Sequence, residues 1–192
     1  MTLEGNLISF RRLAEDDLLL MHGWLNTEHV SRWYDANGGR RPSYEDVMEK
    51  YAARIHGKAK TEPFLIMLGD RPVGYIQCYR IRDHPQYAEA VDVEDGACGI
   101  DLFIGEEDSV YRGPGPHILS RFLHDVVFRS PDAPSCVIGP AITNVAAIRA
   151  YEMTGFIYLK TVQVPGEPEP EYLMRIAPED VIDISSDSQP RL

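Results

Sequence analysis

A single mixed α/β domain built on one sheet is the fold the sequence predicts, and three observations predict it. Segments of strand character and segments of helical character are interleaved along the chain instead of forming separate blocks. Neither an internal repeat nor a low-complexity linker divides the 192 residues, a length that suits one ordinary domain. The composition, 44% hydrophobic and 26% charged, belongs to a chain that can bury its own core without disulfide or metal staples.

The elements follow in order. Leu7 to Leu13 alternates as a strand does. AEDDLLLMHGWL puts acidic residues in a first helical turn ahead of an apolar face. EHVSRWYD continues, and the Gly/Pro loop ANGGRRPS closes it. Ser43 and Asp46 form the S-x-x-D of a capping box that opens the helix YEDVMEKYAARIHG. EPFLIMLGDRPVGYIQCYRIRD is a pair of apolar runs parted at GDRP, a hairpin signal. HPQYAEAVDVEDGA is polar and acidic and is expected to be a loop, with residues 84–96 bearing on specificity. CGIDLFIGEED is expected to be a strand. YRGPGPHILSRFLHDVVFRS is a glycine-rich turn entering a helix, with apolar residues at Ile118, Leu119, Phe122, Leu123, Val126 and Val127. A strand in PSCVIGPAIT, a helix in NVAAIRAYEMTGF with a Gly-Phe stop, and a final strand pair around a Pro/Gly/Glu turn complete the domain, residues 1–182. The polar segment 183–192 is expected to be a tail.

Charge and cysteine content narrow the function. A formal net charge of −11 repels nucleic acid and anionic membranes and attracts a cationic partner. Cys78, Cys98 and Cys136 are scattered and odd in number, so neither a disulfide framework nor a metal site is expected. No signal peptide is expected from the opening MTLEGNLISFRRLAEDD, which has no basic head followed by an apolar run, and the longest apolar stretches are too short for a bilayer. The cytoplasm is the expected compartment.

Three segments carry candidate chemistry. In the first, Gly113 and Gly115 flank a turn into a helix, where backbone N–H groups and Arg112 would suit a phosphate; turn chemistry alone is the other reading. Pro114 and Pro116 each remove a donor, although Pro116 suits a first helical turn. In the second, Asn144 stands at a helix cap, and Ile148 and Tyr151 share one helix face, where Tyr151 is either a packed aromatic or a functional phenol. In the third, Asp92, Glu94, Asp95 and Asp101 crowd one acidic stretch. Asp101 interrupts Ile100, Leu102, Phe103 and Ile104, so it either faces solvent or has a partner or a task.

Together these segments resemble the GNAT superfamily of acetyl-CoA-dependent N-acetyltransferases, and the resemblance runs from ISFRRLAEDDL to EYLMR. Arg112, Gly113, Pro114, Gly115, Pro116 and His117 are similar to the family's Q/R-x-x-G-x-G/A pyrophosphate loop. NVAAIRAYEMTGF is similar to its N-x-x-A-x-x-x-Y-x-x-x-G-F helix. Within the superfamily the likeness is to the aminoglycoside 6'-N-acetyltransferases, through EHVSRWYD, FLIMLGDRPVGYIQCY, GIDLFIG and TNVAAIRAYEMTGF. Two positions depart from the pattern: His117 where Gly or Ala is usual, and Gly139 where relatives tend to carry the Asp of an Asp-Pro pair. The resemblance assigns that aspartate to gripping a cationic sugar.

The resemblance implies a single GNAT-type domain whose mixed central sheet has splayed strands flanked by helices. It also implies direct transfer of acetyl from acetyl-CoA to a primary amine, releasing coenzyme A. Asp101 would hold the protonated amine and then accept its proton, and Tyr151 would supply the departing thiolate with a proton or a hydrogen bond. Leu102, Phe103 and Ile104 would hold the pantetheine through their backbone. Residues 112–117 with Asn144, Ala147 and Tyr151 would complete the cofactor site. A polyamine sugar would meet Asp35, Asp92, Glu94, Asp95 and Asp101, with Trp33 and Tyr34 beside its rings or in the core. Siderophore-pathway acyltransferases, protein N-terminal acetyltransferases and a non-catalytic acyl-CoA sensor remain alternatives, and monomer and homodimer both stay open.

Overall fold

Antiparallel pairing begins where the sequence places its first strand. In the computed structural model, which describes residues 7–34, 41–110 and 114–182, β1 (Ile8–Arg12) pairs with β2 (Thr61–Leu68), and β2 pairs with β3 (Arg71–Arg80). Asp35, Arg112, Gly113 and the tail 183–192 lie outside the described residues. β3 pairs antiparallel with β4 (Cys98–Ile104) from Gly74↔Ile104 to Arg80↔Cys98. β4 then runs parallel to the short β5 (Cys136–Ile138), which pairs antiparallel with β7 (Glu171–Ile176), and β6 (Ile157–Val162) closes the far edge. The result is one mixed sheet of 7 strands in the order β1-β2-β3-β4-β5-β7-β6.

Side-chain alternation along the strands sorts the core into layers. One face buries Ile66, Ile76, Cys98, Ile100, Cys136, Ile138 and Met174 under α6 (Gly115–Phe122). Phe122 meets Phe10 and Phe64 edge-on at centroid distances of 4.9 and 5.5 Å. α7 (Val145–Thr154) lies beside α6, and Ile148 and Tyr151 pack against this core. The other face buries Leu65, Met67, Tyr75 and Phe103 under α1 (Leu18–Leu25) and α3 (Tyr44–Ile55), with the short α2 (Glu28–Ser31) between them in the chain.

Local signals act where the sequence puts them. The Ser43 Oγ accepts the Asp46 N–H at 3.1 Å, and the Asp46 carboxylate accepts the Ser43 N–H at 2.9 Å. Ser43→Ala should lower the urea midpoint by the equivalent of about 1 kcal/mol with an unchanged slope. An unchanged midpoint would show that packing alone holds α3. The Gly155 stop has φ 108°, and a Cβ there would lie 2.2 Å from the Asp180 carbonyl oxygen. The helix expected through Val127 is α6 followed by a π-helical turn, Leu123–Val127.

The segment read as a polar loop contains a helix. α4 (Pro85–Val91) begins with proline in its first turn and ends at Asp92, whose φ is 41°. Its Tyr87, Ala88 and Val91 pack on Ile81, Val137 and Leu173. That apolar stripe is too short to register as periodicity in so acidic a stretch, and only strands distant in sequence complete it. A short α5 (Glu107–Val110) follows β4. Among the described residues no helix is long and apolar enough to cross a membrane.

Candidate active site

The sheet parts at its centre. β4 and β5 pair only at Cys98↔Cys136 and Gly99↔Val137, after which β5 ends at Ile138 while β4 runs on to Ile104. The Gly139–Pro140 segment then turns toward β7, where the Pro140 carbonyl accepts the Tyr172 N–H at 2.8 Å. From Ile100 onward β4 keeps β3 on one edge and, among the described residues, has no strand on the other. On that edge Leu102 and Ile104 direct backbone groups that a ligand could bond as a strand would, although the Ile104 carbonyl already has His29 Nε2 at 3.1 Å, while the backbone groups of Phe103 point to β3.

Asp101 sits on this parted stretch, on the sheet face that carries Gly99, Phe103 and Val137. Directly across on β3 is Gln77, whose Nε2 donates to Asp101 Oδ2 at 2.6 Å. The Gln77 Oε1 accepts the Tyr75 hydroxyl at 2.8 Å, and the Tyr75 oxygen accepts Arg54 Nη1 at 3.3 Å. A buried relay therefore runs from a guanidinium on α3 to the Asp101 carboxylate and sets its orientation. Burial pushes the Asp101 carboxyl up from the ordinary aspartate range, against the lowering effects of Gln77, Arg54 and the nearby Tyr79 hydroxyl.

Tyr151 approaches the same break from the opposite face. Asn144 Oδ1 accepts the Ala147 N–H at 3.2 Å and so starts α7 immediately beyond the β5 turn. Tyr151, two turns on, packs with Leu102, Ile104 and Ile148 against the α6 core and lies 6.2 Å from the Phe156 ring. Burial, and then the charge of Asp101, push its phenol up, so it keeps its proton through and above the neutral range. The carboxylate on one face and the phenol on the other thus sense each other through the gap between β4 and β5.

The start of α6 borders that gap. Pro114 precedes the helix and Pro116 occupies its first turn, so the donors without intrahelical acceptors are the N–H groups of Gly115 and His117. A Cβ on Gly115 would meet only Ala150 Cβ, at 3.7 Å, so packing within the protein does not demand glycine there. An open strand edge beside a helix start with free donors is a fit for the pantetheine and pyrophosphate parts of a coenzyme A thioester.

The remaining expected substrate residues are spread more widely. Tyr34 is partly buried, edge-on to Phe103 at 4.8 Å, and burial holds its phenol well above the usual range. Trp33 is 37% exposed, with the Arg32 guanidinium 4.7 Å from its ring centroid. Glu94 is engaged by Arg175 at 2.6 Å, which draws its carboxyl down to about 2. Asp95 lies 3.5 Å from Arg82. Asp92 caps α4, and its carbonyl accepts Lys160 Nζ at 3.3 Å. Of this set, Tyr34 is the one that Asp101's charge reaches.

Other groups at the break carried no sequence signal. Gln77 reads as one polar residue in an apolar strand. Glu171 sits among turn glutamates in EPEPEYL, yet on β7 it alternates with Leu173 onto the Asp101 face. The Tyr87 hydroxyl donates to Glu171 Oε2 at 3.0 Å. Knowing that Tyr172 packs inward on the α6 side would have pointed to Glu171 by alternation.

Relatives share this arrangement over most of their length. The aminoglycoside N(6')-acetyltransferases type 1 of Klebsiella pneumoniae and Serratia marcescens are each 28% identical over 167 residues, spanning 87% of this chain and 82% of theirs. The crystal structure of aminoglycoside acetyltransferase AAC(6')-Ib with coenzyme A superposes with a TM-score of 0.80 at 28% identity, covering 90% of this chain and 96% of that one. AAC(6')-Ib with ribostamycin and coenzyme A gives 0.82 at 27% identity, covering 94% and 99%. A sheet parted at its centre, with an open edge leading to a helix start, defines an N-acetyltransferase that draws its acetyl group from acetyl-CoA. Residues 14–164 match the model of the acetyltransferase (GNAT) domain, and the chain belongs to that family.

Proposed function

We propose that this enzyme acetylates the 6'-amine of an aminoglycoside antibiotic and so confers resistance to it. The observation that carries the reading is Asp101, a carboxylate with no bonded cation among the described residues, set at the strand break within electrostatic reach of the Tyr151 phenol. The names of the relatives, which include a structure of AAC(6')-Ib with coenzyme A and kanamycin at TM-score 0.79, support the substrate class.

Acetyl-CoA supplies an activated acetyl group as a thioester. Asp101 receives the ammonium form of the substrate, orients it and takes one proton, leaving a neutral amine that attacks the thioester carbon; the second proton leaves nitrogen as the carbon–sulfur bond breaks and replaces the one that Tyr151 gives to sulfur. Tyr151 gives its proton to the sulfur as the carbon–sulfur bond breaks, and burial keeps that proton available. The β4 edge from Leu102 to Ile104 aligns the pantetheine arm, while the α6 start with Arg112 and Gly113 takes the pyrophosphate.

The test is thiol release from acetyl-CoA with kanamycin and ribostamycin, together with growth of a sensitive bacterium expressing the chain. Release that depends on the aminoglycoside, with a raised inhibitory concentration, is the expected result. Release with a peptide N-terminus or a lysine-derived hydroxylamine, and none with aminoglycosides, would overturn the reading.

A further inference from the structure

We propose that Glu171, reaching from β7 into the space that Gly139 leaves free at the end of β5, holds a second protonated amine of the aminosugar while Asp101 holds the first. The inference rests on the proposed acetylation of a polyamine sugar and names the group that recognises the rest of that substrate.

The placement is steric. A Cβ on Gly139 would lie 1.9 Å from Glu171 Oε2 and 2.6 Å from its carboxyl carbon. The Glu171 carboxylate therefore lies over the point where β5 stops and the sheet parts. Register puts it on the Asp101 side: Gly99 pairs with Val137, Val137 with Arg175, and alternation along β4 and β7 carries that face to Asp101 and Glu171. Tyr79 connects them, since its hydroxyl is close enough to stabilise the charged forms of both Asp101 and Tyr87. Tyr87 in turn donates to Glu171 at 3.0 Å.

The charge around Glu171 is unbalanced. Glu94, on the same face, has Arg175 at 2.6 Å. Glu171 has a tyrosine hydroxyl and no bonded cation among the described residues. The groups that act on it are Tyr87 of α4, Asp101 of β4 and Glu167 of the β6–β7 turn, with Tyr79 of β3 behind Tyr87. Burial, with the charges of Asp101 and Glu167 and against the Tyr87 hydrogen bond, pushes its carboxyl up to about 8. At neutral pH the free enzyme holds a proton there, and an arriving ammonium displaces it by stabilising the carboxylate. Below the ordinary glutamate range the proton is bound whether the chain is folded or not. As pH rises through about 8 the folded enzyme must ionise Glu171, and the stability tied to the proton is lost.

Calorimetric titration of kanamycin into the coenzyme A-bound enzyme, with acetyl-transfer kinetics, tests the assignment in three forms: wild type, Glu171→Gln and Gly139→Ala. Glu171→Gln should weaken kanamycin binding and raise its KM by about 10- to 100-fold, the loss of one charge-assisted hydrogen bond. Gly139→Ala should do the same, because its methyl group displaces the carboxylate without removing it. The double variant should be no weaker than either single one. At pH 7, compared in buffers of different ionisation enthalpy, wild type should release about one proton more than Glu171→Gln on binding kanamycin. The loss should be smaller for a single-amine aminosugar, and coenzyme A affinity checks that each variant is folded. Thiol release with a KM that ignores both substitutions overturns this inference and leaves the proposed function standing. Glu171-dependent binding without thiol release does the reverse. Absence of kanamycin binding to wild type defeats both.

Discussion

Asp101→Asn should lower kcat/KM for the aminoglycoside by about 10³-fold, within the range that positioned proton transfer contributes. The substitution keeps the shape of the side chain, and its amide oxygen can still accept from Gln77, which donates to Asp101 at 2.6 Å. The Arg54–Tyr75–Gln77 relay therefore survives, and the loss reports chemistry and charge instead of folding. Two effects act together. The neutral amide no longer offsets the ammonium of the incoming substrate, and it has no site for the proton that must leave nitrogen. The pH profile separates this role from a structural one. Burial raises the Asp101 carboxyl, so the acidic limb of wild-type kcat/KM lies above the ordinary aspartate range, with activity rising as pH rises through it. The variant lacks that limb. A variant that kept both the limb and near-normal kcat/KM would remove Asp101 from the reaction.

Tyr151→Phe should lower kcat by about 10²-fold and leave acetyl-CoA affinity unchanged. Tyr151 packs against the α6 core, so phenylalanine fills the same volume, and the change removes a hydroxyl and little else. The hydroxyl matters when charge develops on sulfur, which places its effect in kcat. Its pKa is pushed up by burial and by Asp101, so no basic limb from Tyr151 should appear through the neutral range. Pre-steady-state mixing checks that the chemical step has slowed and not coenzyme A release. Unaltered turnover would reduce Tyr151 to a packing residue.

Much of the framework is local and therefore legible. The Ser43–Asp46 box, the turn at Gly69 with φ 59°, and the Gly155 stop with φ 108° act within a few residues of themselves, so spacing alone reveals them. Asp101 is conspicuous because it breaks an apolar run, and Asn144 because its side chain caps α7. Other features depend on partners remote in sequence. α4 hides because its apolar stripe is completed by Ile81, Val137 and Leu173. Gln77 gains meaning only when β3 lies beside β4. Gly139 looks like a lost carboxylate in the sequence, whereas in the fold the Glu171 carboxylate occupies the space a side chain there would need.

Taken alone, the order of residues decides where most strands and helices lie, many of the positions that face a core, and that the molecule is acidic enough to favour cationic partners. Folding decides which of those positions meet. Asp101 and Tyr151 lie on opposite faces of the sheet and would be screened from one another in a continuous one. The charge of Asp101 still reaches the Tyr151 phenol, near where β5 ends after Ile138 while β4 continues, a consequence of pairing between segments distant along the chain. Periodicity records the face of a strand on which a side chain lies, and it carries no record of where a neighbouring strand departs.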